Sequence, residues 1–269
     1  MSAETAGTTG SARTGTTATR NLGIACLAGC VALAAFALVF SPRDYAQKDA
    51  VRLIYLHVPT VWVAYLAFGV TAIASATYLF SKKKALGWDR LAGASAEVGV
   101  LFMAQTLLVG ALWGRLTWGV FWQWDARLTT TAFLFVTYIG YLAVRGLGGS
   151  HQQRAKRSAI LGLLAVLEIP LVHFSVEIWR SLHQEASVLN PNGDVHMEGM
   201  MLFTMFFGLV VFTLVFAWLV IHRMRTLAAE DLVDDLGLDH ALDLRRRESL
   251  GSATVPTSGG TPGASTGAF

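Results

Sequence analysis

Six long apolar runs, separated by short polar segments, dominate the hydrophobic pattern of this 269-residue chain. Each run approaches or exceeds the roughly 20 residues that a helix needs to cross the hydrocarbon core of a bilayer. The pattern therefore predicts an all-α, polytopic membrane protein built as a bundle of six transmembrane helices. The predicted spans are residues 22–40, 58–80, 91–112, 130–147, 159–177 and 200–221.

The composition excludes a soluble enzyme. Apolar residues make up 54% of the chain and charged residues 14%, whereas about a quarter of an ordinary soluble domain is charged. The net charge of +3 does not indicate a nucleic-acid partner, because the basic residues lie in short clusters between apolar runs. Cys26 and Cys30 form no CxxC or CxxCH motif, which argues against a thioredoxin-like protein or a c-type cytochrome. We interpret both as small residues facing lipid or a neighbouring helix.

The distribution of Lys and Arg predicts the orientation. Twelve of these residues flank the spans on one side and six on the other, and the richer side faces the cytoplasm. Both termini are then cytoplasmic, and the loops 41–57, 113–129 and 178–199 face outward. The basic loops 81–90 and 148–158 are interpreted as topological determinants without chemistry.

The chain is predicted to have three parts. Residues 1–21 are rich in Ser, Thr, Gly and Ala and form a disordered cytoplasmic tail. Residues 22–225 form the membrane domain, whose first apolar run is too long for a signal peptide and lacks a small-residue cleavage pattern. Residues 226–269 form a cytoplasmic tail that is helical at first and disordered from 251.

The second outer loop holds four of the eight tryptophans within 12 residues, in WGRLTWGVFWQWDARLTT. One interpretation is an interfacial aromatic belt, because Trp rings favour the headgroup level of a membrane. The other is a platform for a flat, conjugated, apolar ligand, in which the interleaved glycines allow close approach of the backbone. The residue types alone leave both open.

Two histidines flank this loop at the outer rim. His57 closes the first outer loop in YLHVPT, where Pro59 is predicted at the first helical position of the second span. His183 follows the fifth span in SLHQEAS, and His196 is a weaker candidate. An interfacial histidine often serves as a polar anchor, but two beside an aromatic platform suggest ligands for a porphyrin iron.

The fifth span carries more polar groups than a membrane anchor needs. His173, Glu177 and Arg180 are spaced i, i+4 and i+7 and share one helical face that leads towards His183. They form either an internal polar network or a wall of the ligand site. Glu97 in the third span has no predicted partner.

Three motifs, taken together, carry a resemblance to a known family. WGVFWQWDARLT resembles the signature of the tryptophan-rich haem-handling proteins of cytochrome c biogenesis. The continuation after Asp125, together with RLIYLHVPT at 52–60 and HFSVEIWRSLHQ at 173–184, is similar to the small six-span branch, the haem exporter protein C (CcmC) family. The resemblance covers roughly residues 40–225. Phe121 and Ile178 stand where that family's pattern leads us to expect tryptophan.

The resemblance implies a non-covalently bound haem b with two axial histidine ligands, His57 and His183. It also implies a platform for haem and its receiver at residues 113–129. The platform residues are Trp113, Trp118, Trp122, Trp124, Asp125 and Arg127. On chemical grounds, Arg127 and Arg180 are candidates to pair with the haem propionates. His173 and Glu177 are candidates for the wall of the site.

The resemblance also implies partners and a location. The chain would deliver haem at the outer face of the cytoplasmic (inner) membrane to a membrane-tethered chaperone resembling CcmE. An ABC transporter with CcmA- and CcmB-like subunits and a single-span CcmD-like protein would complete the assembly. The chain would be a delivery subunit and not an enzyme, and since its sequence has no Walker A motif, ATP would be used by partners. The alternatives are a membrane b-type cytochrome and, with little support, a small-solute transporter.

Overall fold

The computed structural model describes residues 15–179, 181–183, 197 and 199–252. The described part is helical, with a single isolated β-bridge between Asp44 and Lys48. Its helices are α1 (Thr17–Ala35), α2 (Ile54–Phe80), α3 (Leu86–Trp118), α4 (Ala126–Arg145), α5 (His151–Ala165), α6 (Glu168–Ile178) and α7 (Gly199–Ser252). A π-helical turn, Phe36–Phe40, extends α1, and a 3₁₀ turn, Asp49–Leu53, precedes α2.

Six helical segments of the described chain are long and apolar enough to cross a membrane, which confirms the predicted all-α bundle. The helices extend beyond most of the predicted ends. Residues 17–21, predicted to belong to a disordered tail, form the first turns of α1, because the Thr16 side chain accepts a hydrogen bond from the Thr19 amide and caps the helix. The predicted tail before residue 15 lies outside the described residues.

The fifth span consists of two helices and not one. α5 ends at Ala165 and α6 begins at Glu168, with Pro170 in the first turn of α6. Proline is tolerated there because the first helical amides have no partner within the helix. The break puts Glu168 at the start of α6, where its carboxylate accepts a hydrogen bond of 2.9 Å from the Thr137 hydroxyl of α4.

The centre of the bundle is built on α2 and α3, with α4 and α5 packed beside them. Phe68 of α2 is fully buried and stacks on Tyr138 of α4, with ring centroids 3.5 Å apart. Gly99 of α3 makes this arrangement possible, because a Cβ at that position would lie 2.6 Å from the Phe68 ring. Small residues of this kind allow membrane helices to approach closely.

A buried ion cluster joins α3, α4 and α5 at the end of the bundle where α3 and α5 begin. The Arg145 guanidinium donates to both carboxylate oxygens of Asp89, at 2.5 and 2.8 Å, and Arg154 lies 3.3 Å from the same carboxylate. Asp89 is 3% exposed and Arg145 is 7% exposed. The sequence interpretation of these arginines as topological determinants without further role was therefore incomplete. We call this group the Asp89 cluster.

α7 connects to the bundle through a second ion pair. Glu97 of α3, for which the sequence suggested no partner, accepts from two nitrogens of Arg223. The chain divides into two compact units, residues 1–226 and 227–269. The second unit is helical over residues 227–252, and its leucines at 232, 236, 238, 242 and 244 are exposed.

Candidate functional site

A cavity of about 630 Å³ opens at the end of the bundle where α2 and α4 begin and α3 ends. We call it the site cavity. Its volume lies in the range typical of small-molecule and cofactor pockets. Residues of α2, α3, α4, α6 and α7 line it, together with side chains from the connecting segments. All three motifs singled out in the sequence contribute to this one cavity.

His57 lines the site cavity from the second turn of α2. The sequence predicted that the helix would begin at Pro59, but α2 begins at Ile54, so His57 is held by helical backbone. The His57 Nδ1 atom is buried and has no hydrogen-bond partner among the described residues. Gly110 of α3 provides its space, since a Cβ there would lie 2.9 Å from His57 Cε1.

His183 lines the same cavity from the segment that follows α6. His57 and His183 therefore border one cavity. Each imidazole meets a tryptophan ring edge-on. The ring centroids of His57 and Trp113 are 5.8 Å apart, and those of His183 and Trp118 are 6.3 Å apart.

The tryptophan-rich segment is mostly helical and not a long loop. α3 continues through Trp118 and ends at Gly119, whose φ of +79° suits glycine at a helix C-terminus. α4 then begins at Ala126, so the connection is residues 119–125. The predicted loop 113–129 was therefore too long at both ends.

The four tryptophans divide between the cavity and its outside. Trp113, Trp118 and Trp122 line the cavity, whereas Trp124 does not and is 81% exposed. Trp113 donates to the Gln47 side chain at 2.8 Å. Trp122 and Trp124 meet edge-on with centroids 5.6 Å apart. Trp124 therefore lies outside the cavity lining, next to Trp122, whose ring lines the cavity.

Asp125 ties the connection to two other segments. One carboxylate oxygen accepts from the Leu128 amide at 2.8 Å and caps α4. The other accepts from the Ser181 hydroxyl at 2.6 Å and from the Leu182 amide at 3.1 Å. Asp125 does not line the cavity. Asp125 therefore joins the connection to α4 and to the segment after α6, and its assignment to the platform for haem and its receiver stays a prediction.

Arg127 provides a buried cation at the cavity wall. Its Nη2 donates to the His173 carbonyl at 2.6 Å, while its Nε is buried and has no hydrogen-bond partner in the described part of the chain. Arg180, the other predicted propionate partner, lies outside the described residues, as does His196.

The two wall candidates of the fifth span separate. His173 lines the cavity, but Glu177 is exposed and lies outside the lining. The assignment of Glu177 to the wall of the ligand site stays a prediction. The helical spacing from His173 to Glu177 correctly indicates a shared side of α6, but i, i+4 spacing does not fix how far each side chain reaches into a cavity.

Sequence reasoning missed several polar groups of the cavity. Tyr65 follows His57 by eight residues, so the two share one face of α2, and this spacing was a usable signal. Thr131 of α4 faces the cavity in the same way. Gln47 comes from the irregular first connection, where no periodic pattern exists to indicate which side chains turn inward.

The fold and the cavity together define a polytopic helical membrane protein with a site lined by tryptophans and by three histidines, His57, His173 and His183. Comparison with known families narrows this class. The family model described as "Heme exporter protein C" matches residues 4–235. This chain belongs to that family.

Curated relatives agree with the family match. The "Heme exporter protein C" of Bradyrhizobium diazoefficiens is 34% identical over 72% of this chain and 73% of its own length. The protein of the same name from Haemophilus influenzae is 39% identical over 56% of this chain and 61% of its own length. That of Escherichia coli K12 is 32% identical over 70% of this chain and 74% of its own length.

Proposed function

We propose that the site cavity binds haem between His57 and His183 and that the chain delivers this haem to a membrane-tethered chaperone for cytochrome c maturation. One observation carries the proposal: both histidines and three tryptophans line a single cavity of about 630 Å³. A porphyrin supplies four in-plane nitrogens to its iron, so two imidazoles complete the coordination.

The chemistry of the lining fits a porphyrin. Tryptophan rings and aliphatic side chains offer apolar surface to a flat macrocycle, and burial of such surface contributes roughly 25 cal/mol per Å². Three lining residues each add a buried polar atom without a partner in the described chain, which gives the site hydrogen-bonding capacity: His57 Nδ1, Trp122 Nε1 and Arg127 Nε.

Arg127 is the candidate to hold a haem propionate. Arginine matches carboxylate geometry, and this guanidinium keeps a buried N–H free of described partners while another N–H anchors it to the His173 carbonyl. Arg180 remains a second candidate for the same task. The neighbouring His173 could place its own imidazole at the iron, which makes the His57–His173 pair the competing ligand set.

Delivery requires a surface that a receiver can reach while haem is still held. The cavity lies at the end of the bundle, where the exposed ring of Phe121 lines it and the exposed ring of Trp124 lies outside its lining. Large exposed apolar side chains of this kind mark partner interfaces. A curated relative from Arabidopsis thaliana, named as a putative cytochrome c biosynthesis protein and 35% identical over 59% of this chain, supports the assignment to this process.

The proposal includes a location and an assembly. We propose that the cavity lies at the outer face of the inner membrane, and the distribution of Lys and Arg supports this orientation. ATP hydrolysis would belong to partner subunits of the CcmA and CcmB type, with a CcmD-like single-span protein beside them and a CcmE-like chaperone as the receiver. The chain itself would act as a haem-delivery subunit without catalytic residues.

Absorption spectra of the protein purified with haem test the ligand assignment. His57→Ala and His183→Ala are each expected to convert a six-coordinate, low-spin spectrum into a five-coordinate one and to lower haem content, because each removes one axial nitrogen. His151→Ala, at the start of α5, is the matched control and is expected to change neither quantity.

A third variant separates the competing ligand sets. His173→Ala is expected to retain the six-coordinate spectrum. If His173→Ala lost it and His183→Ala kept it, the ligands would be His57 and His173, a pair closer to that of a b-type cytochrome. Wild-type spectra in both the His57 and His183 variants would show that the cavity does not hold haem in this way.

A further inference from the structure

We propose that Asp125 and Ser181 are positioning residues that hold His183 at the site cavity by fastening residues 181–182 to the beginning of α4. The proposal deepens the function proposed above and rests on it for the identity of the ligand. It concerns a carboxylate that lies outside the cavity lining and yet makes three hydrogen bonds beside it.

The hydrogen bonds run from the tryptophan connection to the histidine in two short steps. Asp125 accepts from the Ser181 hydroxyl at 2.6 Å, and the Ser181 oxygen in turn accepts from the His183 amide at 3.1 Å. Asp125 also accepts directly from the Leu182 amide at 3.1 Å. Two consecutive backbone amides, those of residues 182 and 183, are therefore fixed by this pair of side chains.

Helical backbone does not fix His183, in contrast to His57. α6 ends at Ile178, so the positions of residues 181–183 depend on side-chain contacts and not on a helical hydrogen-bond ladder. The Asp125 carboxylate is itself rigid, since its other oxygen caps α4 through the Leu128 amide. Hydrogen bonds to an ionised carboxylate are stronger than those between neutral groups, so this anchor suits a ligand that must be held in one position.

The same anchor explains why an aspartate follows the tryptophans. Trp118 and Trp122 line the cavity on the side of this connection, and Trp118 meets the His183 ring edge-on. Asp125 thus sets the spacing between the tryptophan face and the second histidine. The effect on a bound ligand is indirect and passes through the position of His183.

Asp125→Asn is the informative variant because it separates the two roles of the carboxylate. The amide oxygen still caps α4 at Leu128, but the amide nitrogen cannot accept from the Leu182 N–H. Ser181→Ala removes the hydroxyl that joins Asp125 to the His183 amide, whereas Ser181→Thr keeps a hydroxyl at this position. Ser150→Ala is the matched control, since it removes the side-chain cap of α5 without touching the cavity.

Two measurements decide the proposal. In protein without haem, amide hydrogen exchange at residues 182 and 183 is expected to accelerate about tenfold or more in Asp125→Asn, a factor that corresponds to the loss of a hydrogen bond to a charged group. With haem, the same variant is expected to gain a five-coordinate fraction while His57 retains the ligand, and added free imidazole is expected to restore the six-coordinate spectrum. Ser181→Ala should follow in the same direction, and Ser181→Thr and Ser150→Ala should resemble the wild type.

Wild-type exchange rates at residues 182 and 183 in Asp125→Asn would overturn the proposal, whatever the haem spectra show. A six-coordinate spectrum in Asp125→Asn that matches the wild type would overturn it as well. If the wild-type protein bound no haem, the proposed function would fail, but the exchange measurement would still decide whether Asp125 fixes this segment.

Discussion

The two ends of the bundle differ in what surrounds their buried ionisable groups. In the Asp89 cluster, a carboxylate meets two arginines, one of them through two hydrogen bonds. At the site cavity, the imidazole of His57, the indole of Trp122 and the guanidinium of Arg127 each keep a buried nitrogen without a partner in the described chain. The Asp89 carboxylate is thus paired by side chains of the chain itself, whereas the three groups at the site cavity lie beside a space that a ligand can fill.

The difference between the Asp89 cluster and the site cavity indicates which buried polar groups stabilise the fold and which are available to a ligand. A buried ion pair stabilises a fold mainly in the sense that removing one partner leaves an unpaired charge, which is strongly destabilising. Buried groups without partners cost free energy and are kept where they serve a ligand. Changes at the Asp89 cluster should therefore affect unfolding more than ligand binding, and changes at the cavity the reverse.

The largest expected effect on stability is that of Arg145→Met. It leaves the Asp89 carboxylate, 3% exposed, with only the 3.3 Å contact to Arg154, so the loss should be at most the ~3–5 kcal/mol of a fully broken buried pair. Thermal unfolding in detergent measures this loss. Arg43→Met removes an exposed pair with Asp49 and is the matched control, with an expected change of about 0–1 kcal/mol.

The double variant Asp89→Asn with Arg145→Met sharpens this result. Because it removes the buried carboxylate together with its bidentate partner, it should recover part of the stability that the single change loses, although Arg154 loses its contact with Asp89. A single Arg145→Met variant as stable as Arg43→Met would contradict the expectation that the buried Asp89–Arg145 ion pair stabilises the fold.

The next effect compares two glycines of α3. A Cβ at Gly93 would lie 2.5 Å from Arg145 Nε, and one at Gly110 would lie 2.9 Å from His57 Cε1. Gly93→Ala is expected to cost about 1–3 kcal/mol of stability by displacing the guanidinium. Gly110→Ala is expected to lower haem occupancy by displacing the imidazole, with a smaller loss of stability.

Gly140→Ala in α4 is the control for both glycine variants, because nothing lies within 4 Å of its Cβ position. Alanine is the better helix former by about 1 kcal/mol, so this variant should be as stable as the wild type or slightly more so. Unfolding temperature and haem per protein should distinguish the three variants: Gly93→Ala mainly lowers the first, Gly110→Ala mainly lowers the second, and Gly140→Ala lowers neither. Equal haem occupancy in Gly110→Ala and Gly140→Ala would argue against contact between His57 and the ligand.

Much of this arrangement was predictable from the sequence. Hydropathy alone predicted six spans, because a bilayer demands long apolar segments, and the spacing of motifs at 52–60, 113–129 and 173–184 placed them at one end. Helix ends were less predictable. Trp113 and Trp118 read as loop residues since Trp, Gly and Arg lower the hydropathy, although the backbone stays helical to Trp118.

Contacts between distant segments were beyond reach of the sequence. Asp89 pairs with Arg145 across 56 positions, and Asp125 reaches Ser181 across the same separation. No periodic pattern records such pairs, because they depend on how helices pack. The break in the fifth span had one signal in the sequence. Pro170 lies inside an apolar run, and a proline at such a position indicates an interruption of the helix.

The smallest expected effect on haem occupancy, and the sharpest division within the site, concerns the adjacent tryptophans Trp122 and Trp124. Trp122 lines the cavity, whereas Trp124 is 81% exposed and outside it. Trp122→Ala should therefore lower haem per protein, and Trp124→Ala should leave it near the wild-type value. Trp124→Ala should instead weaken capture by the haem chaperone, by about 2 kcal/mol if the ring is a dominant contact. Haem content and the yield of haem-loaded chaperone, measured on the same preparations, test both expectations.

Tyr45, which is 93% exposed on the first connection, provides the control variant Tyr45→Ala for loss of an exposed ring. Loss of haem in Trp124→Ala would place this ring in the ligand site, and undiminished chaperone loading would make it an interfacial anchor, since Trp rings also favour the headgroup level.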